Sequence, residues 1–268
     1  MVKNIRFSDA VEASPRAILA LGNDYPDDFE VTPHQHRRAQ FLHGGSGVMT
    51  VRTEHGAWIV PPQEAVWIPA GIEHSLRMIG PVSTSSLFVL PDKVAGMPTT
   101  CQVFAIPPLM HELLLAAVEL PVDYVEDSRD GLVMALTLQE LQRLQPLPLS
   151  LPFPADAKLG RRCQKFLARP IASDQIDQWA EALAMSRRSF TRFFKRETGM
   201  SFAHWARQAC LMAALRRLAV GEAVTTVALD LGYESPAAFT TMFKKSLGVP
   251  PSRYFAGIGS RASMADAR

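Results

Sequence analysis

Ser186-Arg-Arg-Ser-Phe-Thr-Arg-Phe-Phe-Lys-Arg-Glu-Thr-Gly199 and Ser235-Pro-Ala-Ala-Phe-Thr-Thr-Met-Phe-Lys-Lys-Ser-Leu-Gly248 are one pattern written twice, 49 residues apart. The opening serine, Phe190/Phe239, Thr191/Thr240, Phe194/Phe243, Lys195/Lys244 and the closing glycine coincide, and Trp205 and Tyr254 match as aromatics. Each copy has the chemistry of a short capped helix. Ser186 and Ser235 offer an oxygen to the free N–H groups of a first turn. Pro236 stands at the first helical position, where its missing donor costs little. Gly199 and Gly248 follow the last turn, where a left-handed residue is wanted. The two phenylalanines of each copy are four apart and share a buried face. That leaves Arg187, Arg188, Thr191, Arg192 and Lys195 on the open face of the first copy.

A helix precedes each copy. Ile176-Asp-Gln-Trp-Ala-Glu-Ala-Leu-Ala184 leads in through a turn at Met185, and Val224-Thr-Thr-Val-Ala-Leu-Asp-Leu231 through Gly232-Tyr-Glu234. Helix, short turn and capped helix make a helix-turn-helix, whose second helix enters the major groove of DNA. The spacing predicts such units over 175–197 and 224–247, joined by an apolar helix at 202–218. Two reading heads in one chain meet successive major-groove segments roughly 34 Å apart.

Charge agrees with that reading. The chain of 268 residues has a net charge of only +2, but residues 1–154 hold 10 Lys+Arg against 17 Asp+Glu, and residues 155–268 hold 18 against 9. A basic C-terminal half facing an acidic N-terminal half points to a polyanionic partner for the former. Between the halves, Gln145-Pro-Leu-Pro-Leu-Ser-Leu-Pro-Phe-Pro154 carries four prolines in ten residues and reads as an extended linker over 146–155.

Upstream, short β-branched and aromatic runs broken by Gly and Pro predict an all-β barrel or sandwich within 1–100. Examples are Gly47-Val-Met-Thr-Val-Arg52, Ala57-Trp-Ile-Val60, Ala65-Val-Trp-Ile68 and Leu87-Phe-Val-Leu90. Residues 101–145 switch to helical spacing. Leu132, Leu136, Leu141 and Leu144 form a ragged stripe there, suited either to pairing subunits or to a core. Downstream of the linker an all-α domain occupies 156–257, and residues 258–268 read as a flexible tail. Cys101, Cys163 and Cys210 fall in no paired spacing, which fits a reduced cytosolic chain. The N-terminal residues show no signal-peptide pattern, and no apolar run is long enough to span a membrane.

Residues 160–256 resemble the DNA-binding domain of AraC/XylS-type regulators. The likeness rests on Ala228-Leu-Asp-Leu-Gly-Tyr233, Phe239, Phe243-Lys-Lys245, Gly248-Val-Pro250 and Pro251-Ser-Arg-Tyr254. It implies that Ser186, Arg187, Arg188, Thr191, Arg192 and Lys195 of the first unit face double-stranded promoter DNA. Ser235, Pro236, Ala237, Ala238, Thr240, Thr241, Lys244 and Lys245 would do so in the second. Arginine can grip guanine O6 and N7 bidentately, whereas the second helix offers small residues to the bases. The first unit is therefore expected to read sequence and the second to position the protein through its lysine pair. Such a domain usually carries an arginine near position 210, where this chain has Cys210, so an interhelix salt bridge is expected to be missing.

The N-terminal half holds His34-Gln-His36-Arg-Arg-Ala-Gln40-Phe-Leu-His43-Gly-Gly-Ser-Gly47 and Pro69-Ala-Gly71-Ile-Glu-His74. On a strand, His34 and His36 point the same way. The stretches resemble the two cupin motifs, whose histidines and glutamate clasp one divalent ion. Gln40 stands where the glutamate would be. Imidazoles suit Zn, Ni, Fe or Cu, but a neutral amide weakens the set, so His34, His36, Gln40 and His74 read either as a metal site or as the lining of an effector pocket that requires no cofactor. Arg37 and Arg38 are candidates to salt-bridge at the rim or to attract an anionic effector, with at least one facing outward.

Together the resemblances imply a cupin-like barrel that senses a small molecule and an all-α domain with two helix-turn-helix units. The chain would regulate a neighbouring efflux or metabolic gene, with a homodimer possible through 129–145 and RNA polymerase as a partner if it activates. The competing reading is a metal-dependent cupin isomerase or oxygenase with an appended helical domain.

Overall fold

The computed structural model describes residues 12–147, 149–173 and 176–254. The expected tail at 258–268 lies outside the described residues. The chain parts into two compact units, residues 1–53 with 58–147 and residues 54–57 with 148–268.

The first unit is built from β1 (Ile18–Tyr25), β2 (Glu30–His34), β3 (Ala39–Gly44), β4 (Val48–Thr53), β5 (Gly56–Val60), β6 (Glu64–Ile68), β7 (His74–Ile79), β8 (Val82–Val89), β9 (Gln102–Ala105) and β10 (Pro146–Leu147), with helices α1 (Pro108–Val118) and α2 (Arg129–Leu141). One sheet runs β1-β8-β3-β6-β9-β10, and the other includes β5-β4-β7-β2. This is the two-sheet, cupin-like architecture expected, continued past residue 100 by β9 and β10.

Strand β3 shows why a strand of this sheet carries no clean alternation of apolar and polar residues. Cross-strand partners share a face, so Phe41 and His43 line up with Leu87 and Ser85 of β8 and with Trp67 and Ala65 of β6. Helices α1 and α2 cover that face: Met110, Leu114, Ala117, Met134 and Leu141 join Phe41, Trp67 and Leu87 in one core. Gln40 and Leu42 point the other way, aligned with Phe88 and Ser86, toward the second sheet. All six residues of β3 are buried. With both faces covered, a strand loses its polar phase. Each large apolar side chain buried there contributes roughly 1.5–3 kcal/mol.

The leucine stripe of 129–145 splits. Leu141 and Leu144 belong to the core, whereas Leu132 and Leu136 are 69% and 44% exposed. Ser128 caps α2 by accepting from the N–H groups of Asp130 and Gly131.

The second unit is helical: α3 (Ala157–Ala168), α4 (Ile176–Ala182), α5 (Arg187–Thr198), α6 (Phe202–Ala219), α7 (Val224–Asp230) and α8 (Pro236–Leu247), preceded by a short strand β11 (Ser150–Pro152). Strands β10 and β11 fall within the proline-rich stretch, and Leu149 and Leu151 are buried. The Trp205 indole N–H donates to Pro152 O at 3.0 Å. Helix α6 is apolar nearly all round and correspondingly buried. Trp179 of α4 lies against Phe190, Phe194, Phe202 and Trp205, the aromatic centre of the first helix-turn-helix.

Candidate functional site

The two reading helices are built alike. Ser186 Oγ accepts from Ser189 N–H at 3.2 Å, and Ser235 Oγ accepts from Ala238 N–H at 3.1 Å. Gly199 and Gly248 close the helices at φ 72° and 79°, donating to Lys195 O and Lys244 O. Phe190, Phe194, Phe239 and Phe243 are fully buried and pull one face of each helix inward. The opposite face is open. Ser186, Arg187, Arg188, Thr191, Arg192 and Lys195 are exposed on α5 and its cap; on α8, Ala237, Ala238, Thr241, Lys244 and Lys245 are exposed, with Ser235, Pro236 and Thr240 half-buried. Thr191 and Thr241 each donate their hydroxyl to the carbonyl four residues back, Arg187 O and Ala237 O. Arg187 forms an ion pair with Asp177 of α4 at 3.1 Å. The sequence reading missed Arg196, whose guanidinium lies over the Phe193 ring beside the reading face.

The turns differ by one residue. Met185 N–H returns to Ala180 O, and Tyr233 N–H to Ala228 O, a register of 48 rather than 49. The helices entering the turns match at 48 and the reading helices at 49, so the second turn holds the extra residue. The first turn uses Ala184 at φ 54° as its left-handed residue; the second uses Gly232 at φ 76°.

Position 210 offers no guanidinium, but α6 carries one further along. Cys210 is buried in α6, but Arg217, two turns on, reaches Asp230 Oδ2 and Glu222 Oε2, both at 2.6 Å. Two carboxylate hydrogen bonds push the Arg217 pKa upward and keep it charged. Position 210 is not the only place on α6 from which a guanidinium can reach the end of α7.

In the first unit the structure brings His34, His36 and His74 together, one ring nitrogen of each lying within 4.8 Å of the others. His36 sits past the end of β2 rather than on it, so strand alternation is not what aligns it with His34. The irregular segment after β2 does so, helped by Gly71 N–H donating to His36 O at 2.8 Å. His34 Nδ1 and His74 Nδ1 face the carbonyls of Thr32 and Ile72 at 2.8 and 2.9 Å. A carbonyl only accepts, so each Nδ1 carries a proton, and in the neutral ring Nε2 then keeps its lone pair. Burial, aided by the neighbouring imidazoles, lowers His36 to about 4, and burial likewise lowers His74 to about 4. Both are neutral at pH 7. The Gln40 side chain meets His74 Nε2 at 3.2 Å and Ser86 Oγ at 3.3 Å. The amide oxygen lies at His74 Nε2 and the amide NH2 at the serine; exchanging the two, which fill the same space, lets the NH2 donate to Nε2 when Nδ1 holds the ring proton.

Three imidazoles, two of them oriented by carbonyl bonds at Nδ1, fit a borderline divalent ion, and the neutral Gln40 leaves that ion's charge uncompensated. Of the two arginines, Arg37 is exposed and Arg38 is buried, donating to the carbonyls of Arg16 and Ser14. Arg38 is thus a structural clasp rather than a rim charge. A histidine the sequence reading left aside, His43, is also buried, on the sheet face covered by α1, with its ring 5.5 Å from that of His111. Neither of its nitrogens has a hydrogen-bond partner among the described residues.

A cupin-like two-sheet unit followed by a unit with two capped helix-turn-helix motifs is the architecture of a DNA-binding regulator. The comparisons with known proteins agree. Residues 17–154 match the AraC-like ligand binding domain, and residues 179–257 match a helix-turn-helix domain. The chain is 37% identical to the HTH-type transcriptional regulator NimR of Escherichia coli K12, over 86% of this chain and 84% of that one. It is 26% identical to the arabinose operon regulatory protein of the same organism, over 49% of this chain and 47% of that one. Among solved structures it is similar to fatty-acid-bound ToxT of Vibrio cholerae, at 12% identity and a TM-score of 0.37, covering 88% of this chain and 94% of that one. The chain belongs to the AraC family of helix-turn-helix transcription regulators, a family of regulators and not of enzymes. Among the described residues no helix is long and apolar enough to cross a membrane.

Proposed function

We propose that this regulator binds promoter DNA sequence-specifically through α5, anchors itself through α8, and answers to a small molecule held at the His34, His36, Gln40 and His74 cluster. Support for the first part comes from chemistry on matched scaffolds: α5 presents Arg187, Arg188 and Arg192 where α8 presents Pro236, Ala237 and Thr241. Each bidentate arginine–guanine contact is worth roughly 1–3 kcal/mol of discrimination, which small side chains do not match. Lys244 and Lys245 suit phosphates. Arg187 must leave Asp177 to reach a base, a modest cost for an exposed pair.

Footprinting on the DNA flanking the gene locates the site, and titrations over a panel of site variants then test the assignment. Arg192→Ala should relax base preference more than Thr240→Ala or Thr241→Ala; the reverse order would overturn it. The target is expected to be a neighbouring efflux or metabolic gene. The cluster acts by coupling: a molecule that binds it better in one state of the regulator shifts DNA affinity by the same factor. Exposed Leu132 and Leu136, one turn apart on α2, support a homodimer, and light scattering at DNA-binding concentrations checks it.

A second reading of the cluster, a divalent ion on three imidazoles, is favoured by the carbonyl bonds that orient the His34 and His74 rings through Nδ1. The chemistry such an ion supplies is a Lewis-acid anchor for an effector oxygen or nitrogen. Metal analysis of purified protein separates the readings: stoichiometric iron, nickel or zinc, lost in His34→Ala, selects the metal site, and metal-free protein that still responds to effector selects the bare pocket.

A further inference from the structure

On α3, Arg162 is followed three and four residues later by Lys165 and Phe166, and Arg169 caps the helix one turn beyond Lys165. That spacing puts the three cations and the ring along one face. With Ile171 and Trp179 they line a pocket of about 290 Å³. Its base is aromatic and its walls are cationic, and no described carboxylate lines it. The Arg162 guanidinium stacks on Trp179, 4.8 Å from the ring centroid, and one of its Nη groups donates to Gln178 O at 3.3 Å. Its Nε–H is buried without an acceptor among the described residues. Arg162, Lys165 and Arg169 form no ion pair among the described residues, as is also true of Arg188 and Arg192 on α5.

Cations near a helix C-terminus are stabilised by its partial negative charge, and that is the simplest account of Lys165 and Arg169. The helix end supplies only about half a charge, however, so more than two positive charges stay uncompensated around the pocket. Solvation of exposed side chains also does not explain an arginine held over a buried ring with a buried, unanswered donor. An oxyanion does: three or four oxygens accept from several N–H groups at once, and a guanidinium fork matches phosphate geometry.

We propose that this pocket binds a phosphate oxyanion. Two sources carry that chemistry: a backbone phosphate of the bound duplex, outside the footprint of α5 and α8, or the phosphate group of a small molecule.

Two measurements on the full chain distinguish them. Inorganic phosphate is titrated at constant ionic strength and followed by 31P line broadening, and binding to a mixed-sequence duplex is followed across a salt series. Both are repeated with the double variant Lys165→Gln/Arg169→Gln, and with Arg143→Gln as a charge control from the other unit. If the source is DNA, the slope of log K against log salt becomes shallower by about one for each phosphate that the variant no longer neutralises, and the control leaves it unchanged. If the source is a small molecule, phosphate broadening disappears in the double variant while the salt slope matches the control. Unchanged broadening together with an unchanged slope would overturn the site. Circular dichroism and a thermal melt on the double variant confirm that it is folded; both substituted side chains are exposed, so the fold should hold.

Discussion

Arg217 and Asp230 meet at 2.6 Å, joining the end of the long helix α6 to the last residue of α7. Glu222 completes the clasp from the intervening loop, also at 2.6 Å. Helix α7 has seven residues and no side-chain cap at its N-terminus, so it has little stability of its own. What holds it is Val227 and Ala228 in the core and this clasp at its end. Arg217→Met keeps the apolar stem and removes the charge. It should lower stability by about 1 kcal/mol, because the side chain is partly exposed, and should weaken DNA binding by more than that loss alone explains. Thermal melts and duplex titrations on the variant check both; an unchanged melt and affinity would remove the clasp from the account.

The left-handed residue of the first turn is an alanine. Ala184 at φ 54° stores strain that Gly232, at φ 76° in the second turn, avoids. Ala184→Gly should therefore leave stability unchanged or raise it by up to about 1 kcal/mol, against the usual loss when glycine replaces alanine. Gly232→Ala should cost about 1–2 kcal/mol, since an added Cβ would also lie 2.7 Å from Ile171 Cγ2. Denaturant midpoints of the two variants should move in opposite directions or differ by at least that amount.

His43 gives the first unit a pH dependence. Burial, with the His111 imidazole facing it from α1, holds its pKa down to about 3 against an ordinary 6.5. The unfolded chain takes up a proton as pH falls through 6.5 while the folded chain does not, so stability drops below that point. The loss between pH 7 and about 5 should be on the order of 1–2 kcal/mol. His43→Leu should flatten this part of the profile by about one proton and be neutral or stabilising at pH 7, because it removes a buried N–H without a partner. A profile in the variant as steep as in the parent would reject the assignment.

Gly131 lies where α2 turns back over the chain that precedes it. A Cβ there would stand 1.9 Å from Glu126 O, a backbone atom that cannot swing aside. Gly131→Ala should cost about 2 kcal/mol or more by displacing the start of α2 from the sheet. Hydrogen exchange along 129–141 should rise with it.

The second unit was legible because its signals are local. A serine cap, a closing glycine and two phenylalanines four apart specify a helix and its buried face within fourteen residues, and repetition removes the ambiguity. The clasp was not legible: Arg217, Glu222 and Asp230 come from three segments, and nothing in their spacing says that they meet. The β unit yielded its class but not its pairing. In β3 both faces are covered, so Ala39 to Gly44 carries no alternation to set His43 apart from Gln40. His36 was placed near His34 for the wrong local reason, since it lies in the irregular segment after β2. Arg38 looked like a surface charge beside Arg37 because its acceptors, Arg16 O and Ser14 O, are backbone atoms with no signature in the sequence.

The change in register from 48 to 49 falls wholly inside the turn. From serine cap to left-handed glycine, each reading helix is then a self-contained cassette, with the same length, the same cap bonds and the same pair of buried rings. An insertion within the helix would rotate every outward side chain by about a hundred degrees; one in the turn leaves the outward set intact. The two heads of this regulator could thus drift apart in chemistry, one toward arginine and the other toward small residues, without either losing its seat in the fold.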